Sequence, residues 1–271
     1  MRLNKHKEVI ILSTRSSAEN ARECFLLLLV GALLTAAGAA VPAQVAPLAP
    51  KWLAGTPTPP VETFADGLAR HHIDLTETAL VAALASPDGE VRSLAAAQLA
   101  AMDDHPALTA ILDAMEVEPD LQVQVNLAGA ASWLNSRRAL DKLQQLCQNL
   151  NVRATTRLDA ARYVSNKDLP TCFSAVVQIE QSGQDASLRV LALEAAVNYR
   201  GQAARAQALA ISALADLDPT VRIAAVEALR SLHATGAGDA LGRALQAEGD
   251  DTVREHLRAA IHALRSADTA H

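Results

Sequence analysis

Six times between residues 88 and 254 the chain repeats one local pattern: an acid or amide, two residues, an aliphatic anchor, then a basic or amide side chain. The anchors are Val91, Val123, Val152, Leu188, Val221 and Val253, at separations of 32, 29, 36, 33 and 32 residues. Three places before them stand Asp88, Asp120, Asn149, Asp185, Asp218 and Asp250, and one place after them Arg92, Gln124, Arg153, Arg189, Arg222 and Arg254. A period of this length holds two short helices and their turns, and such a pair cannot bury an apolar face alone. Stacked neighbours share one continuous core, so this recurrence constrains the fold before any other feature does.

The residue types agree with helices. Asp or Asn before a helix accepts hydrogen bonds from its unpaired amides and offsets the positive end of the dipole. Each of the six polar residues is therefore expected to cap the second helix of a pair. Val91, Ala95 and Leu99, like Val221, Ala225 and Leu229, then lay an apolar stripe at helical spacing. Amphipathic segments at 74–86, 105–117, 136–149, 170–181, 203–215 and 237–247 supply the first helices. Half the residues are hydrophobic but only 3% are aromatic, so Leu, Val and Ala must fill the interior of closely packed helices. The arginine lies four residues after its aspartate, within reach of that acid or of the one in the adjacent repeat. A structural ladder of Asp88, Arg92, Asp120, Asn149, Arg153, Asp185, Arg189, Asp218, Arg222, Asp250 and Arg254 is expected, interrupted where Gln124 replaces arginine.

The stretches DGEVRSLAAAQLA, DPTVRIAAVEALRSL and DDTVREHLRAAIHAL resemble HEAT repeats of the short type also found in phycobilisome bilin lyases. The third repeat, NLNVRATTRLDAARYV, fits least. The resemblance implies an all-α fold, an α-solenoid forming a right-handed superhelix of about six HEAT-like helix pairs. It also implies second helices lining the concave side and a role in protein recognition. The expected organisation is a signal peptide at 1–43, a Pro-rich spacer at 44–60, a short helix or cap at 61–73, repeats at 74–265 and a disordered tail at 266–271.

Export is read from residues 25–41, FLLLLVGALLTAAGAAV, preceded by Arg2, Lys5, Lys7, Arg15 and Arg22 and followed by a small-residue site ending at Ala43. The expected location is periplasmic or secreted, with residues 25–41 as a membrane anchor if they stay uncleaved. The net charge is −6, and removing residues 1–43 takes away more bases than acids. So acidic a chain lacks the basic patches that nucleic acid demands.

The sequence contains no phosphate loop, nucleophile elbow or Cys-x-x-Cys pair. No catalytic, cofactor-binding or metal residue is assigned, and no cofactor. His71-His72 lacks a second pair at ligand spacing. Glu255-His256 reverses the His-Glu order that the HEAT-like deoxyhypusine hydroxylases repeat, and occurs once. Cys147 and Cys172 fall near opposite ends of successive first helices, and parallel stacking would put them roughly 12–16 Å apart. Two separate thiols are expected. The expected function is an exported, non-enzymatic scaffold that binds an unidentified protein or peptide along its second helices. Candidate positions on that surface are Ser93, Gln98, Gln124, Asn126, Arg157, Glu194, Glu227, Arg230 and Arg258. The alternatives are an enzyme accessory or lyase-like HEAT protein, and a membrane-tethered part of an envelope assembly.

Overall fold

The computed structural model describes residues 63–268, apart from 168 and 184. The signal, the spacer and residues 269–271 lie outside the described residues. Every regular element among the described residues is helical, and the residues fall into two compact units divided after Ala114.

The first unit holds α1 (Phe64–Arg70), α2 (Glu77–Ala83), α3 (Gly89–Ala101) and the start of α4 (Leu108–Val117). Thr63 and Asp66 form a reciprocal capping box on α1, and Thr76 caps α2. Helix α3 packs on both α1 and α2. Val91, Leu94, Ala95 and Leu99 bury the stripe expected of it.

The second unit holds the end of α4 and then α5 (Leu121–Trp133), α6 (Arg137–Gln148), α7 (Ala154–Tyr163), α8 (Pro170–Gln181), α9 (Ala186–Val197), α10 (Ala203–Ala213), α11 (Pro219–Ser231), α12 (Gly238–Ala247) and α13 (Asp251–Asp268). The second helices α5, α7, α9, α11 and α13 each pack on the next, and the first helices α6, α8, α10 and α12 pack on the second helix that follows them. This is the helix-pair stacking of an α-solenoid. Helix α13 continues to Asp268, past the expected boundary at 265.

Capping follows the sequence in five registers and departs in one. Asp88, Asp120, Asp185, Asp218 and Asp250 each accept the amide two residues on, at 2.8–2.9 Å. Asn149 does not cap α7. Its Oδ1 accepts the amide of Asn151 at 3.0 Å, a local Asx turn that competes with helix formation, and α7 begins only at Ala154 without a side-chain cap. Every anchor is buried except Val123, whose place in the core is taken by Val125 and Leu127.

The ends of the second helices carry a signal that the sequence hides. Asp103, Asn135 and His233 stand twelve residues after their anchors, with φ of 57°, 60° and 49°. Each continues into a paired bond back to the helix, as in His233 N–H to Arg230 O and Ala234 N–H to Leu229 O. This is the Schellman stop, in a conformation that favours glycine. In the third and fourth repeats, 3-10 turns at Ser165–Lys167 and Arg200–Gln202 replace it.

Trp133, Tyr163, Phe173 and Tyr199 lie in the second unit. The Tyr199 hydroxyl donates to Ala161 O at 2.6 Å, joining one repeat to the previous one, and its ring meets Phe173 edge-on at 5.3 Å. The Tyr163 ring lies so close to α5 that a Cβ at Gly129 would stand 2.5 Å from it.

Cys147 and Cys172 form a disulfide with Cα atoms 5.5 Å apart, which overturns the expectation of two separate thiols. The expected spacing came from an axial offset between first helices stacked side by side. In the structure the last turn of α6 meets the first turn of α8, so that offset does not separate the two residues.

Two substitutions test this packing with signs opposed to ordinary expectation. Gly129→Ala gains helix propensity of about 1 kcal/mol but forces Tyr163 to move, and should lower unfolding free energy by about 1–3 kcal/mol. His233→Gly relieves a left-handed backbone at an exposed site and should raise it by about 0.5–1 kcal/mol. Urea unfolding followed by far-UV circular dichroism checks both.

Candidate interaction face

The parallel stacking of second helices brings the start of each close to the start of the next, where the acid–base ladder forms with partners other than those expected. Arg189 donates from Nε and Nη2 to both oxygens of Asp216, at 3.0 and 2.9 Å. Arg222 grips Glu248 in the same bidentate way, at 2.7 and 2.8 Å. The acids that answer the arginines thus stand two residues before the caps Asp218 and Asp250. Each also accepts the backbone amide of its cap residue, at 2.8 Å from Asp218 and 2.9 Å from Asp250. Glu118 holds the Asp120 amide likewise at 3.0 Å. The cap aspartates are occupied by their own helices, and the reach of an arginine one turn into a helix matches the turn that precedes the next helix. The recurrent acid-x-Asp spacing, Glu118/Asp120, Asp216/Asp218 and Glu248/Asp250, was the available sequence signal.

Elsewhere the ladder changes. Arg157, not Arg153, is the buried arginine of the third repeat, donating to Cys147 O at 3.1 Å and Gln178 Oε1 at 2.8 Å. Gln124 donates to Met115 O at 3.0 Å from inside the core. Among the described residues Arg254 pairs with Asp251 of its own helix, at 3.1 Å. Arg92 donates to Ser86 O at 2.7 Å.

Of the nine expected surface positions, Ser93, Gln124, Asn126 and Arg157 are buried; Gln124 turns toward α4 and Arg157 toward α6 and α8, while Asn126 accepts from the Tyr163 hydroxyl of α7. Gln98 and Glu227 are half-buried, and Glu194, Arg230 and Arg258 are exposed. Arg258 borders an open groove with Leu245, Ile261, His262 and Arg265.

On the second unit the exposed positions join polar side chains that bond from helix to helix. Thr156 of α7 donates to Gln122 of α5 at 2.7 Å, and Gln122 donates to Asp159 of α7 at 2.9 Å. Arg162 stands 3.7 Å from Asp159. Burial pushes the Asp159 carboxyl above its ordinary range against the pull of Arg162 and Gln122. Further along, Glu227 of α11 accepts from Arg230 at 2.7 Å and meets His256 Nδ1 of α13 at 3.0 Å. Burial works to raise Glu227, but these two hydrogen bonds outweigh it and hold the carboxyl below its ordinary range. The sequence gives no signal for Asp159 and Arg162, whose positions differ from one repeat to the next, and His256 drew notice there only beside Glu255 as a metal pair.

His256 is thus engaged with Glu227 on the neighbouring helix. Among the described residues no three or more His, Cys, Asp or Glu side chains are grouped to hold a metal, and no helix is long and apolar enough to cross a membrane.

No protein-family model matches the chain, and no curated protein matches it. Among solved structures, it is similar to human deoxyhypusine hydroxylase in complex with glycerol, with 18% identity over 70% of this chain and 73% of that one, at a TM-score of 0.39.

The Glu248 carboxyl is held below its usual value of 4.5 first by its hydrogen bonds from Arg222. A depressed folded pKa contributes stability above the unfolded value, lost as pH falls through the folded one. Glu248→Gln should therefore cost about 1–2 kcal/mol at pH 7, with the gap to the unsubstituted protein closing as pH falls below 4.5. Thermal and urea unfolding across that range measure it.

Proposed function

We propose that the chain is an exported, non-enzymatic repeat scaffold whose second-helix face holds a protein or peptide partner. The observation that carries this reading is a set of charged side chains on the second helices, with Asp159 tied to Gln122 between α7 and α5 and Glu227 tied to His256 between α11 and α13, and with Arg162, Glu194 and Arg230 beside them. Side chains already held in place lose little freedom on binding, and both signs of charge on one face suit an extended partner of mixed charge. The Cys147–Cys172 disulfide supports maturation in an oxidising compartment, in keeping with residues 25–41 as an export signal.

Affinity purification of the tagged protein from cell envelope and medium, with mass spectrometry of partners and of the bait, tests the reading. We expect a reproducible partner, a mature start near Gln44 and Cys147–Cys172 recovered as a linked peptide without reductant. Combining Glu194→Lys with Arg230→Glu should reduce partner recovery at least tenfold at unchanged melting temperature. Recovery unaffected by that variant counts against the second-helix face. Retention of residues 25–41 points instead to a membrane-tethered role.

A further inference from the structure

We infer that the edge formed by the turns between first and second helices of the C-terminal unit is a second docking surface, fitted to a basic amphipathic segment of another protein. It shares no residue with the second-helix face. In the unit that begins at Met115 the exposed large hydrophobic residues are Val117, Leu121, Leu150 and Leu217. All four lie in or beside a turn leading from a first helix into a second one. Scattered exposed leucines are ordinary, but confinement to one register of a repeat is not. The exposures are extreme: 81% for Val117, 69% for Leu150 and 97% for Leu217.

The stacking turns this register into a row. Arg189 near the start of α9 reaches the turn before α11, and Arg222 near the start of α11 reaches the turn before α13. Successive second helices are therefore parallel, and their leading turns follow one another along one edge. At roughly 8–10 Å per helix, Val117 and Leu150 stand in adjacent turns about 10 Å apart, with Leu217 about 20 Å beyond.

The turns are held, not loose. Asp216 receives Arg189 from the previous repeat and the amide of Asp218 from its own, while Arg222 donates to the carbonyls of Asp216 at 2.9 Å and Leu217 at 3.1 Å. The almost fully exposed Leu217 side chain is thus presented on a turn fixed from both sides. A rigid apolar group binds without first being ordered.

Charge selects the partner. Across residues 118–120, 149–153, 182–185, 214–218 and 248–251 stand eight acids and one base, Arg153, and Arg189, Arg222 and Arg254 reach these turns to bring the bases to four, which leaves the edge acidic. Among the described residues the cap residues Asp120, Asp185, Asp218 and Asp250 form no direct ion pair, and Arg189 and Arg222 act on Asp218 and Asp250 only at longer range. An acidic edge studded with aliphatic side chains repels phosphates and anionic lipid, and complements lysine or arginine flanking aliphatic residues. A helix bearing an aliphatic residue every seventh position repeats at about 10.5 Å, close to the repeat spacing.

The test uses the full mature protein and a synthetic helical peptide with leucine at every seventh position and lysine beside it, read by fluorescence anisotropy at physiological ionic strength. Combining Val117→Ser, Leu150→Ser and Leu217→Ser leaves every acid in place and should weaken binding at least tenfold at unchanged melting temperature. The same peptide with glutamate for lysine should not bind. Glu194→Lys with Arg230→Glu should leave binding within twofold, so that the two faces stand or fall separately. Absent binding, or equal binding by the triple variant, overturns the inference. So does self-association, or adhesion to phosphatidylglycerol vesicles, that the triple variant abolishes, which would assign the edge to a second copy or to a membrane.

Discussion

A carboxylate placed two residues before a helix cap does two jobs at once in this protein. Asp216 and Glu248 each accept both arms of a guanidinium from the preceding repeat and the backbone amide of the cap residue in their own turn. Side chains of both partners are largely shielded from water, with 14% and 16% exposure for Arg189 and Asp216, so the bidentate geometry is screened far less than a surface pair would be. The clamp sets where one second helix begins relative to the next. Helix-to-helix polar contacts farther along, such as Glu227 with His256, depend on that register.

The third repeat shows what happens without the clamp. Asn149 spends its side-chain oxygen on Asn151, α7 starts late, and Arg157 reaches inward to Cys147 O and Gln178 instead of forward to a turn. Other devices fasten this stretch: the Cys147–Cys172 disulfide, the Tyr163 ring against Gly129, and the Tyr199 hydroxyl on Ala161 O. A cross-link closing 25 residues restrains the unfolded chain by about 3.5 kcal/mol in the chain-entropy account. The cross-link and the aromatic contacts therefore concentrate where the repeat sequence is weakest.

The two candidate surfaces draw on different physics. The second-helix face offers charged groups held in place and partly desolvated, which favours orientation and selectivity. The turn edge offers aliphatic side chains on held backbone amid an excess of acids over bases, which favours affinity from burial once a basic partner has been attracted. A repeat array can carry both because each second helix presents its flank and its leading turn in every unit.

The sequence by itself determined the helices and their pairing. Asp-x-x-Val-Arg at a period near 32, with apolar residues at helical spacing, specified the capped second helices and located the first helices within a few residues. Those are local properties, because a cap and an amphipathic stripe act within one helix. Tertiary structure decided whatever depended on contact across repeats. It chose Asp216 and Glu248 over the cap aspartates as arginine partners, buried Ser93, Gln124, Asn126 and Arg157, and joined two cysteines that an axial count had separated. The distance from one helix to its neighbour, and the angle at which they meet, are fixed by packing side chains from distant positions, and no local spacing encodes them.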